Sequence, residues 1–115
     1  RVGPFSHAVK VGDFLFITGQ MPTLLNNPSK LVDGGIIEQT HQVMRNLESV
    51  LINAGSSFSN VIFARVYLVN FQDFDKMNRV YEKYFDSKKL PARTCIGVTG
   101  LAVGASVEID LTAKF

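Results

Sequence analysis

The segment of residues 61–69 is apolar on both of its faces, and this constrains the fold more than any other feature of the chain. Its β-branched and aromatic residues predict a strand, in which alternate side chains point to opposite faces. Two helices can cover only one face of a small sheet, and an exposed second face would leave a large apolar patch in water. We therefore expect other subunits to bury the second face. The predicted faces are Ile62, Ala64, Val66 and Leu68 on one side, and Val61, Phe63, Tyr67 and Val69 on the other, with Arg65 as the charged exception.

Length and composition are those of a single globular domain. The chain has 115 residues, of which 46% are hydrophobic and 19% are charged, a balance that supports a core. The formal net charge of +2 is too small for a dedicated nucleic-acid or membrane-surface protein. No apolar run approaches the ~18 residues that a membrane span requires. We expect one domain over residues 1–115 and no membrane partner.

The single cysteine and the two histidines limit the chemistry of the chain. One cysteine excludes an intrachain disulfide and fits a reducing compartment. One cysteine and two histidines are also too few to favour a Cys/His zinc site. We expect a cytoplasmic protein. Because the sequence begins at Arg1 rather than Met, a removed targeting segment and a mitochondrial location stay open.

Two helices are predicted from the spacing of apolar residues. The first begins at Ile36 and ends at Gly55, and His41 lies off its apolar stripe, so we expect this side chain to be solvated. The second follows Asp73 as its N-cap. Its predicted inner face consists of Phe74, Met77, Tyr81, Tyr84 and Phe85.

Five strands complete the pattern, in the order β-β-α-β-α-β-β. Residues 21–35 are polar and contain prolines and a Gly-Gly pair, which indicates a loop. This order predicts an α+β sandwich with both helices on one face of a mixed sheet. The predicted strands are residues 6–11, 14–18, 61–69, 93–98 and 106–115.

The last two strands carry charged side chains among core residues. Alternation puts Arg93, Cys95 and Gly97 on one face of the first, and Glu108 and Asp110 on one face of the second. If the loop between the strands closes an antiparallel hairpin, Arg93, Cys95 and Glu108 share a small surface. Because a guanidinium binds a carboxylate bidentately and a carboxyl group moves protons, the pattern indicates a site for a small organic acid.

Five segments carry a family resemblance: GPFSHAV at 3–9, ITGQMP at 17–22, MNRVYEKYF at 77–85, PARTC at 91–95 and VEI at 107–109. In this order and over essentially the whole chain, they resemble the Rid (YjgF-like) family of reactive-intermediate deaminases. The resemblance implies a chorismate-mutase-like fold and a homotrimer with sites between subunits. It also implies hydrolysis, without a cofactor, of 2-imino acids such as 2-iminobutanoate or 2-iminopropanoate, or of their enamines, to 2-keto acids and ammonia.

The resemblance gives roles to individual residues. Arg93 matches the arginine that binds the substrate carboxylate; the alternative is a surface cation on an edge strand, which burial costs argue against. Glu108 matches the glutamate that manages water and proton transfer. From the residues alone, Glu108 fits an exposed alternating strand equally well, and the family match favours a function. Thr18 and Gly19 match a pair that lines the cleft, although Gly19 also fits a simple strand end.

Two further matches have alternatives. Cys95 matches a pocket-lining cysteine, and because the sequence places no basic partner for a thiolate beside it, we expect a small buried apolar group rather than a nucleophile. Asn78 matches a recurrent residue of the family and fits a solvated or capping polar group at least as well.

Three positions depart from the family pattern. Phe5 stands where the family usually has a Tyr that contacts substrate or water, and His7 stands where Gln is common. Gly97 replaces a side chain that is often Glu in deaminating members. These changes leave the expected fold and carboxylate binding in place, and bear on rate and substrate preference.

The main alternative function is a trimer that binds small keto or amino acids without chemistry, as a regulator or chaperone. Such a protein would keep Arg93 and tolerate the missing hydroxyl at Phe5. Ribonuclease activity is a further alternative, but the weak charge and the lack of an aromatic-basic stripe argue against RNA as a partner.

Overall fold

The computed structural model describes residues 3–115 and has the expected order of elements, with two additional short strands before the first helix. The strands are β1 Ala8–Val11, β2 Phe14–Gln20, β3 Thr23–Leu24, β4 Asn27–Leu31, β5 Val61–Leu68, β6 Ala92–Gly97 and β7 Val107–Lys114, and the helices are α1 Ile36–Asn53 and α2 Phe74–Tyr81. Five strands form one sheet in the order β1-β2-β7-β5-β6. The pair β5–β6 is parallel and the other neighbours are antiparallel, so the sheet is mixed, as predicted.

Both helices pack on one face of this sheet. The apolar stripe of α1 lies on the sheet because its buried residues recur every three or four positions, which is one face of a helix. Val43, Leu47 and Leu51 are fully buried in the same core as Met77 of α2. The sheet side of this core consists of Leu15, Ile17, Val61, Ala64, Val66, Leu68, Val107, Ile109, Leu111 and Ala113.

A bulge corrects the predicted faces of β5. Its register with β7 shifts between Val61 and Phe63, and the extra residue reverses the alternation before it. Val61 is therefore buried on the helix side, at 7% exposure, whereas Ile62 is 39% exposed. Beyond the bulge, the predicted helix-side residues Ala64, Val66 and Leu68 are fully buried.

The predicted loop of residues 21–35 contains the hairpin β3–β4. A buried amide on α1 holds this hairpin in place: Asn46 Nδ2 donates to the backbone oxygens of Met21 at 2.9 Å and Thr23 at 2.8 Å. Gln42 Nε2 donates in turn to Asn46 Oδ1 at 3.0 Å. The loop prediction was wrong because these anchors come from another element and leave no periodic signal in the hairpin itself.

The predicted limits of α1 are confirmed, but His41 is not fully solvated. Glu38 Oε1 accepts from the Gly35 N–H at 2.9 Å before the first turn, and Gly55 has a φ of +83° after the last, a conformation that favours glycine. His41 Nδ1 lies 2.8 Å from the Tyr84 hydroxyl. Partial burial lowers the pKa of His41, and nearby cations lower it further.

Asp73 stands at the N-cap position of α2, as predicted, but its side chain does not act as a cap. The helical segment begins earlier, in a 3₁₀ turn over Phe71–Asp73, and Asn70 Oδ1 accepts from the Gln72 N–H at 3.0 Å. An Asn and an Asp three residues apart satisfy the same capping pattern, and the sequence does not distinguish them.

The sheet face away from the helices is uncovered in the single chain, and we call it the open face. Five of its apolar side chains are 45 to 57% exposed: Val9, Val11, Phe14, Phe16 and Ile96. Arg65 and Tyr67 both donate to the Asp110 carboxylate among them, at 2.9 and 2.8 Å. The open face agrees with the expected need for partner subunits, and the homotrimer itself stays a prediction. None of the helices in residues 3–115 is long and apolar enough to cross a membrane.

Candidate active site

Arg93 is held on the helix side of the edge strand β6. It pairs in register with the buried Ala64 of β5, which turns its side chain toward α2. Arg93 Nη1 donates to Asn78 Oδ1 at 2.7 Å, and the guanidinium carbon lies 4.9 Å from the Tyr81 ring centroid and 5.7 Å from that of Phe74. A hydrogen bond and two aromatic rings thus fix the orientation of a permanent cation.

The guanidinium opens into a cleft with a volume of about 370 Å³ between α2 and the start of β6. Arg93 Nη1 donates to Asn78 Oδ1 and, at 4.0 Å, to Met77 Sδ, which leaves the Nε and Nη2 donors for a ligand. A carboxylate is the ligand that best matches two parallel donors of a guanidinium. The cleft is lined by Asn78, Tyr81, Glu82, Leu90, Pro91 and Arg93.

Tyr81 is a residue of this cleft that the sequence did not assign to a site. Helical spacing predicted its place on the inner face of α2, and it is indeed 5% exposed. Its hydroxyl is buried without a hydrogen-bond partner among residues 3–115, and burial raises the pKa of Tyr81 to about 12. The position three residues after Asn78, on the same helix face, is the signal that could have linked Tyr81 to Arg93.

Cys95 and Gly97 continue the Arg93 face along β6. Cys95 packs partly against the core, and burial raises the pKa of its thiol, which Arg93 only partly offsets. A raised pKa disfavours the thiolate, in agreement with the expected packing role. A Cβ at Gly97 would lie 3.6 Å from Phe71 Cδ1, an ordinary contact, so packing does not require glycine there.

A second cluster surrounds Glu108 on the open face. The carboxyl group of Glu108 lies directly against Gly19, where a Cβ would come within 2.7 Å of its carboxyl carbon. Gly19 sits at the register shift of β2 against β7, so the bulge and the missing side chain together make room for the carboxyl. Burial raises the pKa of Glu108, and the neighbouring Asp110 charge raises it further.

Phe5 lies near Gly19, the residue that contacts Glu108, and Thr18 directly precedes Gly19 in β2. Phe5, His7 and Gly19 line one small cavity of about 50 Å³. The rings of Phe5 and His7 are arranged edge to face, with their centroids 6.4 Å apart. The Thr18 N–H donates to the His7 oxygen at 2.9 Å, which ties the chain before β1 to the end of β2. The second cluster is therefore built from the segment before β1 and the bulge near the end of β2.

The two clusters do not meet within one chain. Strand β5 lies between β6 and β7, so the hairpin that would have joined Arg93, Cys95 and Glu108 on one surface is absent from the described residues. Arg93 and Cys95 face the helices, whereas Glu108 faces away from them. With strands ~4.8 Å apart, the two strand axes are separated by roughly 10 Å, in addition to the thickness of the sheet.

Other places in the described residues suit an organic acid less well. A larger cavity of about 460 Å³ lies between α1 and the ends of β1 and β3, but its lining contains no Lys or Arg to hold a carboxylate. No group of three His, Cys, Asp or Glu side chains in residues 3–115 is arranged to hold a metal ion.

Known proteins resemble the chain over its whole length. It matches the family described as Endoribonuclease L-PSP over residues 1–115. A RutC family protein of Pyrococcus horikoshii is 43% identical over 112 residues, which cover 97% of this chain and 87% of that protein. The crystal structure of RidA from the Antarctic bacterium Psychrobacter sp. PAMC 21119 has a TM-score of 0.91 at 32% identity and covers 100% of this chain and 91% of its own. The crystal structure of E. coli TdcF with bound serine has a TM-score of 0.91 at 25% identity, with the same coverage.

Proposed function

Because this chain belongs to the Endoribonuclease L-PSP family, which is the Rid (YjgF-like) family, we propose that it hydrolyses 2-imino acids and their enamine tautomers to 2-keto acids and ammonia. The observation that carries the proposal is the Arg93 guanidinium, oriented by Asn78 and Tyr81 and open to a cleft of small-molecule size. Small aliphatic imines such as 2-iminobutanoate and 2-iminopropanoate are the proposed substrates. The binding of serine by the related TdcF agrees with a ligand of this size.

The proposed reaction needs a carboxylate clamp and one group that moves protons. Arg93 holds the substrate carboxylate and draws electron density from the adjacent imine carbon. Water adds to that carbon as the C=N π bond moves to nitrogen; a second proton makes the amine a leaving group, and loss of ammonia and a proton leaves the C=O bond. Glu108 would take the proton from water and return it to nitrogen, and its raised pKa suits both steps. No step requires a cofactor.

We also propose that each site forms between two subunits of a homotrimer. Arg93 and Glu108 point to opposite faces of the sheet, and an acid of three or four carbons cannot reach both. A neighbouring copy that covers the open face could bring its Glu108, Gly19 and Phe5 to the Arg93 cleft. The exposed apolar residues of the open face favour such packing.

The proposal is tested by generating 2-iminobutanoate in situ with threonine dehydratase in the presence of semicarbazide. An active protein competes with semicarbazide for the imine, so the rate of semicarbazone formation falls as protein is added, while total 2-ketobutanoate is unchanged. Arg93→Ala is the matched control and should restore the uncatalysed rate. If semicarbazone forms at the same rate with the wild-type protein as with Arg93→Ala, for both small imines, the proposed activity is wrong.

One observation favours the alternative of a binding protein without chemistry. Phe5 lines the second cluster and lacks the hydroxyl that the family usually has there. A binding protein would bind 2-ketobutanoate in calorimetry, lose this binding in Arg93→Ala, and leave the trapping rate unchanged. Endoribonuclease activity, which the family description names, gains no support from a net charge of +2. The proposed compartment is the cytoplasm.

A further inference from the structure

The cleft beside Arg93 has a polar end and an apolar end. Arg93 and Asn78 form the polar end, where the substrate carboxylate is proposed to bind. Leu90, Pro91 and the Tyr81 ring line the rest of the cleft. Its volume of about 370 Å³ is at the lower end of the range for drug-sized ligands, about 300–1,000 Å³. An imino acid of three or four carbons would leave the apolar end unfilled.

Leu90 is placed to complete a pocket for an apolar side chain. It is 58% exposed and follows a polar segment of residues 86–89. Pro91 fixes the backbone directly after it and restricts Leu90 to an extended conformation, which holds the leucine at the cleft. Burying its exposed surface against a ligand would remove apolar area from water on both sides.

We infer that the Arg93 cleft prefers 2-imino acids with a branched or aromatic apolar side chain, with the carboxylate on Arg93 and the side chain against Leu90 and Pro91. This inference rests on the proposed function and specifies its substrate class. Leucine-derived and phenylalanine-derived imines fit this description, because their side chains reach past the α-carbon toward the apolar end. Phe5 in the second cluster agrees with it, because an apolar ring stands where a polar contact to a small substrate is usual.

Glu82 should exclude ligands that carry a second negative charge. Glu82 lines the same cleft, and the described lining contains no cation besides Arg93 to balance a second negative charge on a ligand. Imines derived from aspartate or glutamate would bring a side-chain carboxylate toward Glu82 and be repelled. The cleft thus accepts one carboxylate at Arg93 and favours a neutral, apolar group beyond it.

The test compares two imines on three proteins. An L-amino-acid oxidase with catalase generates 2-imino-4-methylpentanoate from leucine and 2-iminopropanoate from alanine, and semicarbazide trapping gives kcat/KM for each. A methylene group in an apolar pocket typically discriminates by 10–200-fold. We expect the wild-type protein to prefer the leucine imine by about tenfold or more, and Leu90→Ser to lose most of this preference because kcat/KM falls much further for the leucine imine than for 2-iminopropanoate. Leu25→Ser, which changes another exposed leucine at 68% exposure, is the control and should behave as wild type.

The outcomes separate this inference from the proposed function. Hydrolysis of both imines without a preference for the leucine imine, or a preference that Leu90→Ser leaves intact, overturns the inference and keeps the activity. If neither imine is hydrolysed, the activity is wrong, and calorimetry with 4-methyl-2-oxopentanoate and pyruvate tests the cleft alone. Tighter binding of the branched keto acid that is lost in Leu90→Ser supports the apolar pocket, and equal binding of the two acids overturns it.

Discussion

Arg93 is the residue on which the proposed chemistry depends most. Lysine at this position would keep the positive charge but lose the planar fork and the hydrogen bond to Asn78. We expect Arg93→Lys and Arg93→Ala each to lower kcat/KM by about 10²-fold or more, as expected when an anchoring charge-assisted pair is lost. Thermal unfolding should change little, because the side chain lies at the edge of the core. Imine trapping and melting curves on both variants check this, and near-wild-type turnover in Arg93→Ala would show that Arg93 is not the clamp.

Gly19 is predicted to be required for the position of Glu108. The Cβ of alanine at this position would collide with the Glu108 carboxyl group, and the half-buried carboxyl must move to relieve it. Gly19→Ala should therefore reduce turnover by about 10²-fold, the lower end of the contribution of a general acid or base. Gly100→Ala is the matched control, because a Cβ there meets nothing within 4 Å. Equal activity of the two variants would mean that the contact has no catalytic consequence.

The pH dependence of activity should report the environment of Glu108. Burial raises its pKa above the ordinary 4.5, so the ionised form that accepts a proton is lost at a higher pH than for a solvated glutamate. The acid limb of kcat/KM should lie above pH 4.5. Asp110→Asn removes the like charge that contributes to the shift and should move this limb to lower pH. Arg65→Gln disrupts the same network but keeps the Asp110 charge, so its limb should not move in that direction.

The sequence predicted the site role of a residue where that residue belongs to a recognisable motif. It did not predict roles that depend on a contact with another residue in the fold. Arg93 and Asn78 were assigned individually, yet nothing in the sequence showed that they bind each other. Tyr81 was predicted as core, because helical spacing reports burial and not contact with a cation. The contact between Gly19 and Glu108 joins strands far apart in the chain, and it depends on a bulge that has no sequence signal.

At the scale of elements, periodicity predicted both helices and the five sheet strands to within a few residues. It did not predict how the strands are arranged, because register and neighbours depend on long-range contacts. The insertion of β5 between β6 and β7 separates Arg93 from Glu108, although the two residues are close in sequence. The error therefore arose from assuming that consecutive strands pair.

The hairpin β3–β4 should depend on one buried amide of α1. Asn46→Ala removes the donors to the Met21 and Thr23 oxygens and leaves Gln42 without its partner. We expect a loss of roughly 1–3 kcal/mol in the free energy of unfolding, the cost of buried groups left unpaired, together with faster proteolysis within residues 21–35. Urea denaturation and limited digestion measure these effects. Asn53→Ala, at the exposed end of the same helix, should change neither quantity.

At the scale of the whole molecule, two features favour an assembly of several copies: the exposed open face, and the separation of Arg93 and Glu108 on opposite faces of the sheet. A sheet face with exposed Val9, Phe14, Phe16 and Ile96 needs a cover, and a site with its cation on one side and its carboxyl on the other needs a second copy. Closed rings of identical subunits satisfy both requirements, because each copy then offers its Arg93 cleft to one neighbour and its Glu108 to the other. The family resemblance implied sites between subunits, but the sequence did not predict that Arg93 and Glu108 lie on opposite faces of the sheet.

A mixture of two inactive variants tests the divided site directly. Arg93→Ala keeps Glu108, and Glu108→Gln keeps Arg93, so each homotrimer lacks one half of every site. When the two chains are co-expressed in equal amounts and assort at random around a ring, about a quarter of the junctions pair an intact Arg93 with an intact Glu108 from the next subunit. Co-expressed protein should thus recover about a quarter of wild-type turnover, whereas the purified homotrimers mixed without exchange should stay inactive. If Arg93 and Glu108 instead serve a site within one chain, no mixture regains activity. A mass of one chain in sedimentation equilibrium, 12.7 kDa, would exclude the shared site before any rate is measured.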